Sequence, residues 1–351
     1  GSALKNITNL KQLSSILELS QTTVSRALNG FPEVNEKTRH RVQIAAKKYN
    51  YLPNTRAKRL ASGKSMTIAH IISSSKEHEL VNPIFSDFIA GATERYKEGN
   101  YDLMLTLAKD EDEVEIYKDL AARSAVDGVV VHAPKINDNR IAMLNKLGLP
   151  FVVHGRSSGV QENYNWVDVN NENAFFRATE FLLDLGHNSI GLINGNPDMD
   201  FAMRRAAGYS RALTKNQLDT DTTKIYSGDM TEPFGYTSTL KLLEAKNAPT
   251  AIISSSIILA IGIRRALEDK NLKIGRDISV LIFDDDLSYF RDEGKIPLFT
   301  SAKSSVREAG YKSANLLLDA IDNPNQEKQG ILLEAELTIG SSTKRYKPAH
   351  K

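Results

Sequence analysis

Short apolar runs alternate with amphipathic stretches from about residue 66 onward. Seven runs have the length and β-branched content of buried strands: TIAHII (67–72), YDLMLTLA (101–108), VDGVVVHA (126–133), PFVVHG (150–155), SIGLING (189–195), TAIISSS (250–256) and DISVLIFDDD (277–286). Helical patterns separate them at 85–98, 111–124, 172–185 and 258–270. This alternation predicts α/β structure with parallel sheets, and the number of units predicts two doubly wound lobes.

The first 52 residues follow an all-helical pattern. Apolar residues at helical spacing predict a first helix over 10–17, with Asn9 as its N-cap. A three-residue break separates it from a second helix that begins near Gln21 with Ser20 as cap, and a third helix follows Asn35. Two short helices joined by so tight a turn cross steeply and present the start of the second one outward. The pattern predicts a helix-turn-helix head.

Charge is distributed unevenly along the chain, although its net value is only +2. Residues 1–63 hold eleven Lys and Arg against three Glu, a net of +8, so the remainder carries −6. A basic head on an acidic body is typical of a nucleic-acid-binding domain joined to a domain with another task.

The second predicted helix starts with small polar side chains. In a major groove, Gln21, Thr22 and Arg26 would reach base edges, because amide, hydroxyl and guanidinium groups match the hydrogen-bonding pattern of bases there. Thr23 and Ser25 would lie near phosphates. A groove-reading helix therefore explains why this first turn is polar.

A short basic segment, NYLPNTRAKRLASGKS, joins the head to the body. It predicts a helix of about two turns, which is marginal alone in water and forms when DNA or a second copy packs against it. We therefore predict a helix-turn-helix domain at 1–52, a linker helix at 53–65, and an effector and dimerisation domain at 66–343, with an N-lobe at 66–164 and 292–327 and a C-lobe at 165–291 and 328–343.

The motifs TTVSRALNG, VNEKTRHRV and NYLPNTRAKRLASG, in this order and spacing, resemble the head of the LacI/GalR family of transcriptional regulators. The resemblance implies that linker helices of two subunits pair in the minor groove, where a leucine matching Leu60 wedges between base pairs. Ser14 and Glu18 stand where the family usually has alanine and glycine. The implied DNA-contacting residues are Gln21, Thr22, Thr23, Ser25, Arg26, Asn29, Asn54, Arg56, Ala57, Arg59 and Leu60.

The body also resembles the effector domain of that family, which is similar to periplasmic sugar-binding proteins, through LGHNSIGLING, RRAAGY and DISVLIFDDD. The resemblance implies that Arg205 clamps effector oxygens and that Asp284 accepts from sugar hydroxyls. Ser256 and Ile257 replace the usual Asn-Asp pair, so we expect a differently shaped pocket. The expected effector contacts are Asn82, Phe85, His154, Arg156, Trp166, Phe201, Arg205, Met230, Ser256 and Asp284.

The sequence gives weaker support to an enzymatic function. The motif GRSSG (155–159) matches G-x-S-x-G, but no convincing helix follows it. The histidines lack metal-ligand spacing, and His70 and His132, inside apolar runs, are predicted to be satisfied core residues. We predict no catalysis, no metal and no cofactor.

These observations together predict a homodimeric transcriptional repressor that binds operator DNA and is switched by a small carbohydrate, such as an α-glucoside or another disaccharide. A sugar-binding solute receptor of the same fold, and a repressor controlled by a corepressor or a partner protein, are the alternatives. The chain has no cysteine, no apolar run of about 18 residues and no signal-peptide order at its start, so we expect a cytoplasmic protein away from the membrane.

Overall fold

The computed structural model describes residues 6–53, 62–73, 82–291 and 294–348. The chain divides into two compact units, Gly1–Met66 and Thr67–Lys351. None of the described helices is long and apolar enough to cross a membrane.

The first unit is a three-helix head made of α1 (Leu10–Leu17), α2 (Gln21–Leu28) and α3 (Glu36–Lys48). The predicted N-caps are confirmed, because the side chains of Asn9, Ser20 and Asn35 each accept a hydrogen bond from the backbone three residues on. The helices share a small core formed by Leu13, Leu17, Val24, Ala27, Val42, Ala45 and Ala46.

The second unit contains two six-stranded sheets, each covered by helices. The helices are α4 (Pro83–Glu98), α5 (Glu113–Ala122), α6 (Asn139–Leu147), α7 (Asn171–Asp184), α8 (Asp200–Lys215), α9 (Glu232–Glu244), α10 (Ile257–Asp269) and α11 (Val306–Asp322). The strands are β1 (Thr67–Ser73), β2 (Asp102–Ala108), β3 (Gly128–Val131), β4 (Phe151–His154), β5 (Asn165–Val169), β6 (Ile190–Asn194), β7 (Ile225–Ser227), β8 (Ala251–Ser254), β9 (Ser279–Asp284), β10 (Thr300–Lys303), β11 (Gly330–Leu333) and β12 (Glu336–Thr338).

Strand order defines two lobes. The first sheet runs β11-β5-β4-β3-β1-β2 and is parallel throughout. The second runs β12-β10-β9-β8-β6-β7 and is parallel except for β12, which pairs antiparallel with β10. The predicted class, a helical head followed by two parallel-sheet lobes, is confirmed.

Helices α4 and α11 pack on one face of the first sheet, with Phe88, Ala92 and Leu317 in the shared core. They approach very closely, since a Cβ on Gly91 would lie 1.8 Å from the carbonyl oxygen of Arg307. Only glycine allows this contact. Helix α11 therefore belongs to the first lobe, although the strand before it belongs to the second.

The predicted lobe boundaries need correction at three strands. Strand β5 was assigned to the C-lobe, but its residues pair with β4 and β11 in the first sheet. Strand β10 was assigned to the N-lobe and lies in the second sheet, whereas β11 was assigned to the C-lobe and lies in the first. An apolar run indicates a strand but does not specify its neighbours, because partner choice depends on contacts far along the chain.

Candidate DNA-reading helix and effector cleft

The turn between α1 and α2 is built around Glu18. This residue adopts the left-handed conformation, with φ 54° and ψ 39°, at the position where the resemblance expects glycine. The neighbouring Ser14 is buried and donates its hydroxyl hydrogen bond to the carbonyl of Lys11 at 2.9 Å. Serine therefore fits in place of the usual alanine because its hydroxyl is satisfied.

The outward face of α2 carries the side chains predicted to read DNA. Gln21, Thr22, Arg26 and Asn29 are exposed, whereas the opposite face of the helix is buried in the head. The amide nitrogen of Asn29 donates to the carbonyl of Ser25 at 2.9 Å, which holds both residues against the helix. This face can present donors and acceptors to a groove.

The hydroxyls of two predicted contacts, Thr23 and Ser25, also bond within the head; that of Ser25 accepts from the amide of Asn29 at 3.4 Å. The structure adds Phe31 to the same surface. The hydroxyl of Thr23 lies 2.8 Å from that of Ser20, so it supports the cap of α2. Phe31 is 45% exposed and lines a shallow concavity together with Leu10 and the α2 face. In the sequence, Phe31 directly follows Gly30, beyond the end of α2, so the packing of that helix does not explain an apolar residue there.

Two basic residues of the head, Arg39 and Arg41, have structural roles. Arg41 donates from Nη2 to the carbonyl of Leu17 at 2.7 Å and so caps the end of α1. Arg39 donates to Glu36 and to the carbonyl of Phe31. Of the predicted linker contacts, Asn54, Arg56, Ala57, Arg59 and Leu60 lie outside the described residues.

The first lobe contributes histidine and aromatic side chains at the ends of its strands. Asn82 caps α4 by accepting from the backbone of Ile84 at 3.1 Å. The ring of Phe85 meets that of His132 edge-on at 5.1 Å, and the ring of His154 stacks on Phe88 at 4.3 Å. Burial lowers the pKa of His154 to about 4, so its imidazole is neutral at physiological pH.

Arg156 and Trp166 pack together in the same lobe. The Nε of Arg156 donates to the carboxylate of Asp168 at 2.9 Å, and its guanidinium lies 5.0 Å from the centre of the Trp166 ring. The indole also rests against Gly330, where any Cβ would lie 2.1 Å from the ring. Trp166 is therefore held by packing, and its contact with an effector stays a prediction.

The second lobe buries Arg205 to 5% exposure. Its Nε donates to Asn171 at 2.9 Å and its Nη1 to the carbonyl of Ser255 at 2.7 Å. Its guanidinium lies 4.0 Å from the ring centre of Phe283 and 4.8 Å from that of Phe201. Burial lowers the pKa of Arg205 to about 10, which still leaves it charged at neutral pH. The amide of Asn171 was not anticipated from the sequence.

The negative charges of Asp285 and, more weakly, Asp168 act on Arg205 and raise its pKa against the effect of burial. By contrast, Asp284 accepts from the backbone N–H of Asp286 at 2.8 Å and lies 4.0 Å from the ammonium of Lys303. Within the described ranges, the Asp285 carboxylate has no hydrogen bond or ion pair, and burial raises its pKa to about 7 against the opposing charge of Arg205. The family resemblance points to Asp284, which stays a prediction, and no signal in the sequence sets Asp285 apart, although Asp284 ends β9 and Asp285 directly follows it.

Two further predicted effector contacts have structural roles in the second lobe. Ser256 is fully buried, and its hydroxyl accepts from the backbone of Leu259 at 3.1 Å as the N-cap of α10. Met230 packs with Tyr226 and Phe234 against the core of the second lobe. Their contact with an effector stays a prediction.

The hydroxyl of Ser157, the central serine of the GRSSG motif, already forms hydrogen bonds within the fold. Ser157 donates its hydroxyl to the carbonyl of Lys135 at 2.6 Å and accepts from the backbone of Asp138 at 2.9 Å. The hydroxyl thus ties two loops of the first lobe together.

The lobes also meet along their backbones. Ile136 donates its N–H to the carbonyl of Asp198 at 3.0 Å, and Asp200 donates to the carbonyl of Pro134 at 3.2 Å. The loop after β3 is therefore joined to the loop before α8.

Comparison with known proteins places these features in one family. Residues 18–54 match "Bacterial regulatory proteins, lacI family", and residues 179–343 match "Periplasmic binding protein-like domain". The HTH-type transcriptional regulator AglR of Rhizobium meliloti (strain 1021) is 42% identical over 338 residues, which cover 95% of this chain and 94% of AglR. The chain belongs to the lacI family.

Solved lacI-family structures resemble the whole chain. The complex of the regulator CelR with cellobiose has a TM-score of 0.71 at 26% identity and covers 95% of this chain and 99% of CelR. The Lac repressor dimer bound to operator and the anti-inducer ONPF has a TM-score of 0.81 at 25% identity and covers 97% of this chain and 100% of that one. The family predicted from the residues is confirmed, and the chain is a DNA-binding transcriptional regulator.

Proposed function

We propose that this regulator is a homodimeric repressor whose affinity for operator DNA is set by a neutral carbohydrate bound between its two lobes. The observation that carries the proposal is that two opposite charges which act on each other have no ion pair among the described residues: the buried cation Arg205, and Asp285, whose carboxylate also has no hydrogen bond there. A sugar hydroxyl both donates and accepts, so one ligand can serve both groups.

Neutral and aromatic side chains of the first lobe favour a ligand without net charge. The first lobe supplies the neutral imidazole of His154 and the partly exposed ring of Phe85, which suits the C–H face of a sugar. The relative CelR is known with cellobiose bound, which supports a disaccharide for this chain too. The side chain of Ser256 is shorter than the amide expected there, and an α-glucoside is the ligand class we propose for the altered pocket.

Operator binding is assigned to the exposed face of α2. The solved Lac repressor is a dimer on operator DNA, and we propose the same assembly here, with each head reading one half-site. A chain that acts on DNA through this head works in the cytoplasm, by binding and without catalysis. A solute-binding protein of the same fold would have no use for the exposed polar face of α2.

Effector and operator are coupled through the arrangement of the lobes. If each prefers a different arrangement, each weakens the other by the same factor, and an effector that favoured the operator-bound arrangement would act as corepressor. The sign of this coupling separates the two modes of control, and operator titrations with and without ligand measure it.

A thermal-shift screen of the purified protein against monosaccharides, disaccharides, sugar phosphates and nucleosides tests the effector. A ligand present at 100 times its dissociation constant stabilises the folded state by about 2.7 kcal/mol, which such a screen detects. A selective rise with neutral disaccharides is the expected result. A response to sugar phosphates or nucleosides alone would contradict the proposed ligand class.

Arg26→Ala tests the reading head, with Lys37→Ala as the control that removes one exposed positive charge from the same head. A base-reading arginine contributes about 1–3 kcal/mol of discrimination at one base pair. We therefore expect Arg26→Ala to lose affinity for the operator while tolerating substitutions at one position, measured by fluorescence anisotropy on a set of singly substituted operators. An equal loss on all sequences would show that Arg26 contacts phosphate only.

A further inference from the structure

Three side chains form a hydrogen-bonded row inside the first lobe. The hydroxyl of Tyr96 on α4 lies 2.6 Å from Nε2 of His70 on β1, and Nδ1 of His70 lies 2.8 Å from Nε2 of His132, directly after β3. Tyr96 and His70 are fully buried, whereas His132 is partly exposed. His70 is thus a satisfied core residue, as predicted, but His132 is not, because one of its ring nitrogens has no partner among the described residues.

The proton positions in this row can be assigned by starting from the hydroxyl of Tyr96, at its buried end. The Tyr96 hydroxyl has a single hydrogen-bond partner in the described part of the chain, His70. If the hydroxyl only accepted, its own hydrogen would be buried without an acceptor, at a cost of about 1–3 kcal/mol. Tyr96 therefore donates to Nε2 of His70.

The remaining positions are then determined, because a neutral imidazole has one N–H. His70 carries its proton on Nδ1 and donates to Nε2 of His132. His132 in turn carries its proton on Nδ1, the nitrogen without a partner. The outer end of the row is a hydrogen-bond donor.

The backbone around His132 is also held in place. Arg140 donates from Nη2 to the carbonyl of His132 at 3.0 Å and to that of Ala133 at 3.3 Å. Arg140 is itself paired with Asp138 at 2.7 Å and with Glu113 at 2.9 Å. The imidazole is thus fixed at its ring by His70 and at its main chain by Arg140.

The position of His132 is where a ligand would meet it. It follows β3 at the carboxyl end of the first sheet, and ligands of open parallel sheets bind beyond these ends. The rings of Phe85 and Phe88 meet His132 edge-on at 5.1 and 5.0 Å. Nδ1 remains the ring nitrogen of His132 that has no partner among the described residues.

We infer that His132 is a specificity-determining residue of the effector site, which presents Nδ1–H as a donor and selects a ligand oxygen that accepts, such as a hydroxyl or ring oxygen of a neutral sugar. His70 and Tyr96 are positioning residues that set the direction of this donor. The inference rests on the proposed function for the identity of the ligand, but the direction of the donor is a property of the protein alone.

The first test reads the proton positions without ligand. In the full-length protein labelled with ¹⁵N at histidine, long-range ¹H–¹⁵N correlation spectra distinguish Nδ1–H from Nε2–H imidazoles, and His70→Gln and His132→Gln assign the signals. We expect the Nδ1–H form for both residues, and a mixture of forms at His132 in Tyr96→Phe. An Nε2–H form at His132 in the wild type would overturn the inference.

The second test measures ligand affinity by calorimetry, with the neutral disaccharide that gives the largest thermal shift as probe. Tyr96→Phe should weaken binding about fivefold, the equivalent of about 1 kcal/mol for one lost orienting hydrogen bond. His132→Phe should weaken it at least as much. The matched control is Tyr209→Phe, which removes a buried hydroxyl bonded to the carbonyl of Ile190 at 2.6 Å in the other lobe.

Equal affinities in Tyr96→Phe and Tyr209→Phe would overturn the role of the row in binding. If no neutral sugar binds the wild type, the proposed function fails, while the histidine spectra still decide the direction of the donor. The two failures are therefore distinguishable.

Discussion

The backbone N–H of Ser158 in the first lobe donates a 2.7 Å hydrogen bond to the carboxylate of Asp200 in the second. Asp200 is the first residue of α8 and is only 1% exposed. Its other carboxylate oxygen accepts from Arg204, which also donates to the hydroxyl of Ser158 at 3.0 Å. These three residues, here called the Asp200 latch, hold the lobes together at one edge of the cleft.

Asp200→Ala should destabilise the effector domain. The substitution leaves the guanidinium of Arg204 and the N–H of Ser158 without their partner, and breaking such a buried pair costs on the order of 3 kcal/mol. Urea unfolding followed by far-UV circular dichroism measures the loss. Glu268→Ala is the control, since its pair with Arg264 is exposed and contributes under about 0.5 kcal/mol. A similar effect of both substitutions would show that the latch does not hold the lobes.

Glu18→Gly should stabilise the head, by up to about 1 kcal/mol, because glycine adopts the left-handed conformation of this turn without steric cost. Hydrogen–deuterium exchange of the α1 and α2 amides in the full-length protein measures the change. Glu33→Gly removes the same charge from a residue that does not have positive φ, so it should give no protection. Faster exchange in Glu18→Gly would mean that the flexibility of glycine in the unfolded chain outweighs the relief of strain.

The sequence was sufficient for the features that depend on local spacing. The caps at Asn9, Ser20 and Asn35 were predicted because a cap needs only residues within one turn. All seven predicted strands exist, but β5, β7, β10, β11 and β12 were not recognised. Four of them, β5 (NWVDV), β7 (IYS), β10 (TSAK) and β12 (ELT), include polar residues, so they lack the continuous apolar run that marked the equally short β3, β4 and β8.

The site was harder to predict because its chemistry depends on side chains from distant segments. Asp284 and Asp285 are adjacent and chemically identical, and only the fold shows that the first accepts from the backbone of a turn while the charge of the second acts on Arg205. His132 lies in an apolar run and was predicted to be core, since sequence pattern does not show where a strand ends. The link between Ser158 and Asp200 joins residues in different lobes and has no local signal.

Stability should fall as the pH is lowered from 7 to 5. Burial lowers the pKa of His70 to about 3 and that of His154 to about 4, and it also lowers the pKa of His132. Below about pH 6.5 the unfolded chain therefore binds protons that the folded chain does not. The contribution of these groups is fully present above pH 6.5, and by pH 5 it falls by about 2 kcal/mol for each of His70 and His154.

Asp285 acts in the opposite direction, because its raised pKa lets the folded state bind a proton below about pH 7. Burial also raises the pKa of Asp168 and of Asp284, and these carboxyls together offset only part of the effect of the histidines. Urea midpoints at pH 7 and pH 5 measure the difference, and Asp285→Asn, which removes one of these opposing contributions, should make the fall steeper. Equal stability at the two pH values in Asp285→Asn would show that the histidines are not buried in their neutral form.

The pH dependence of sugar binding should identify the carboxylate that contacts the ligand. A hydroxyl that donates to Asp285 binds its ionised form, and with a pKa of about 7 that form is scarce at pH 6 and dominant at pH 8. Affinity for the neutral disaccharide found in the screen should therefore rise about tenfold between these values. The three histidines stay neutral and Arg205 stays charged over this range, so they add no dependence of their own. Calorimetric titration at pH 6, 7 and 8 measures the profile.

Two conservative variants decide between the neighbouring carboxylates. Asp285→Asn should bind with an affinity that no longer changes with pH, because the titrating group is gone while its size and position are kept. Asp284→Asn should retain a rise in affinity with pH, shifted to lower pH because the charge of Asp284 helps to raise the pKa of Asp285. The Asp284 carboxylate is itself already engaged by the backbone of Asp286 and lies near Lys303. The reverse result, a flat profile in Asp284→Asn and an unchanged one in Asp285→Asn, would show that Asp284 accepts from the sugar, as the family resemblance implies, and that Asp285 has a structural role beside Arg205.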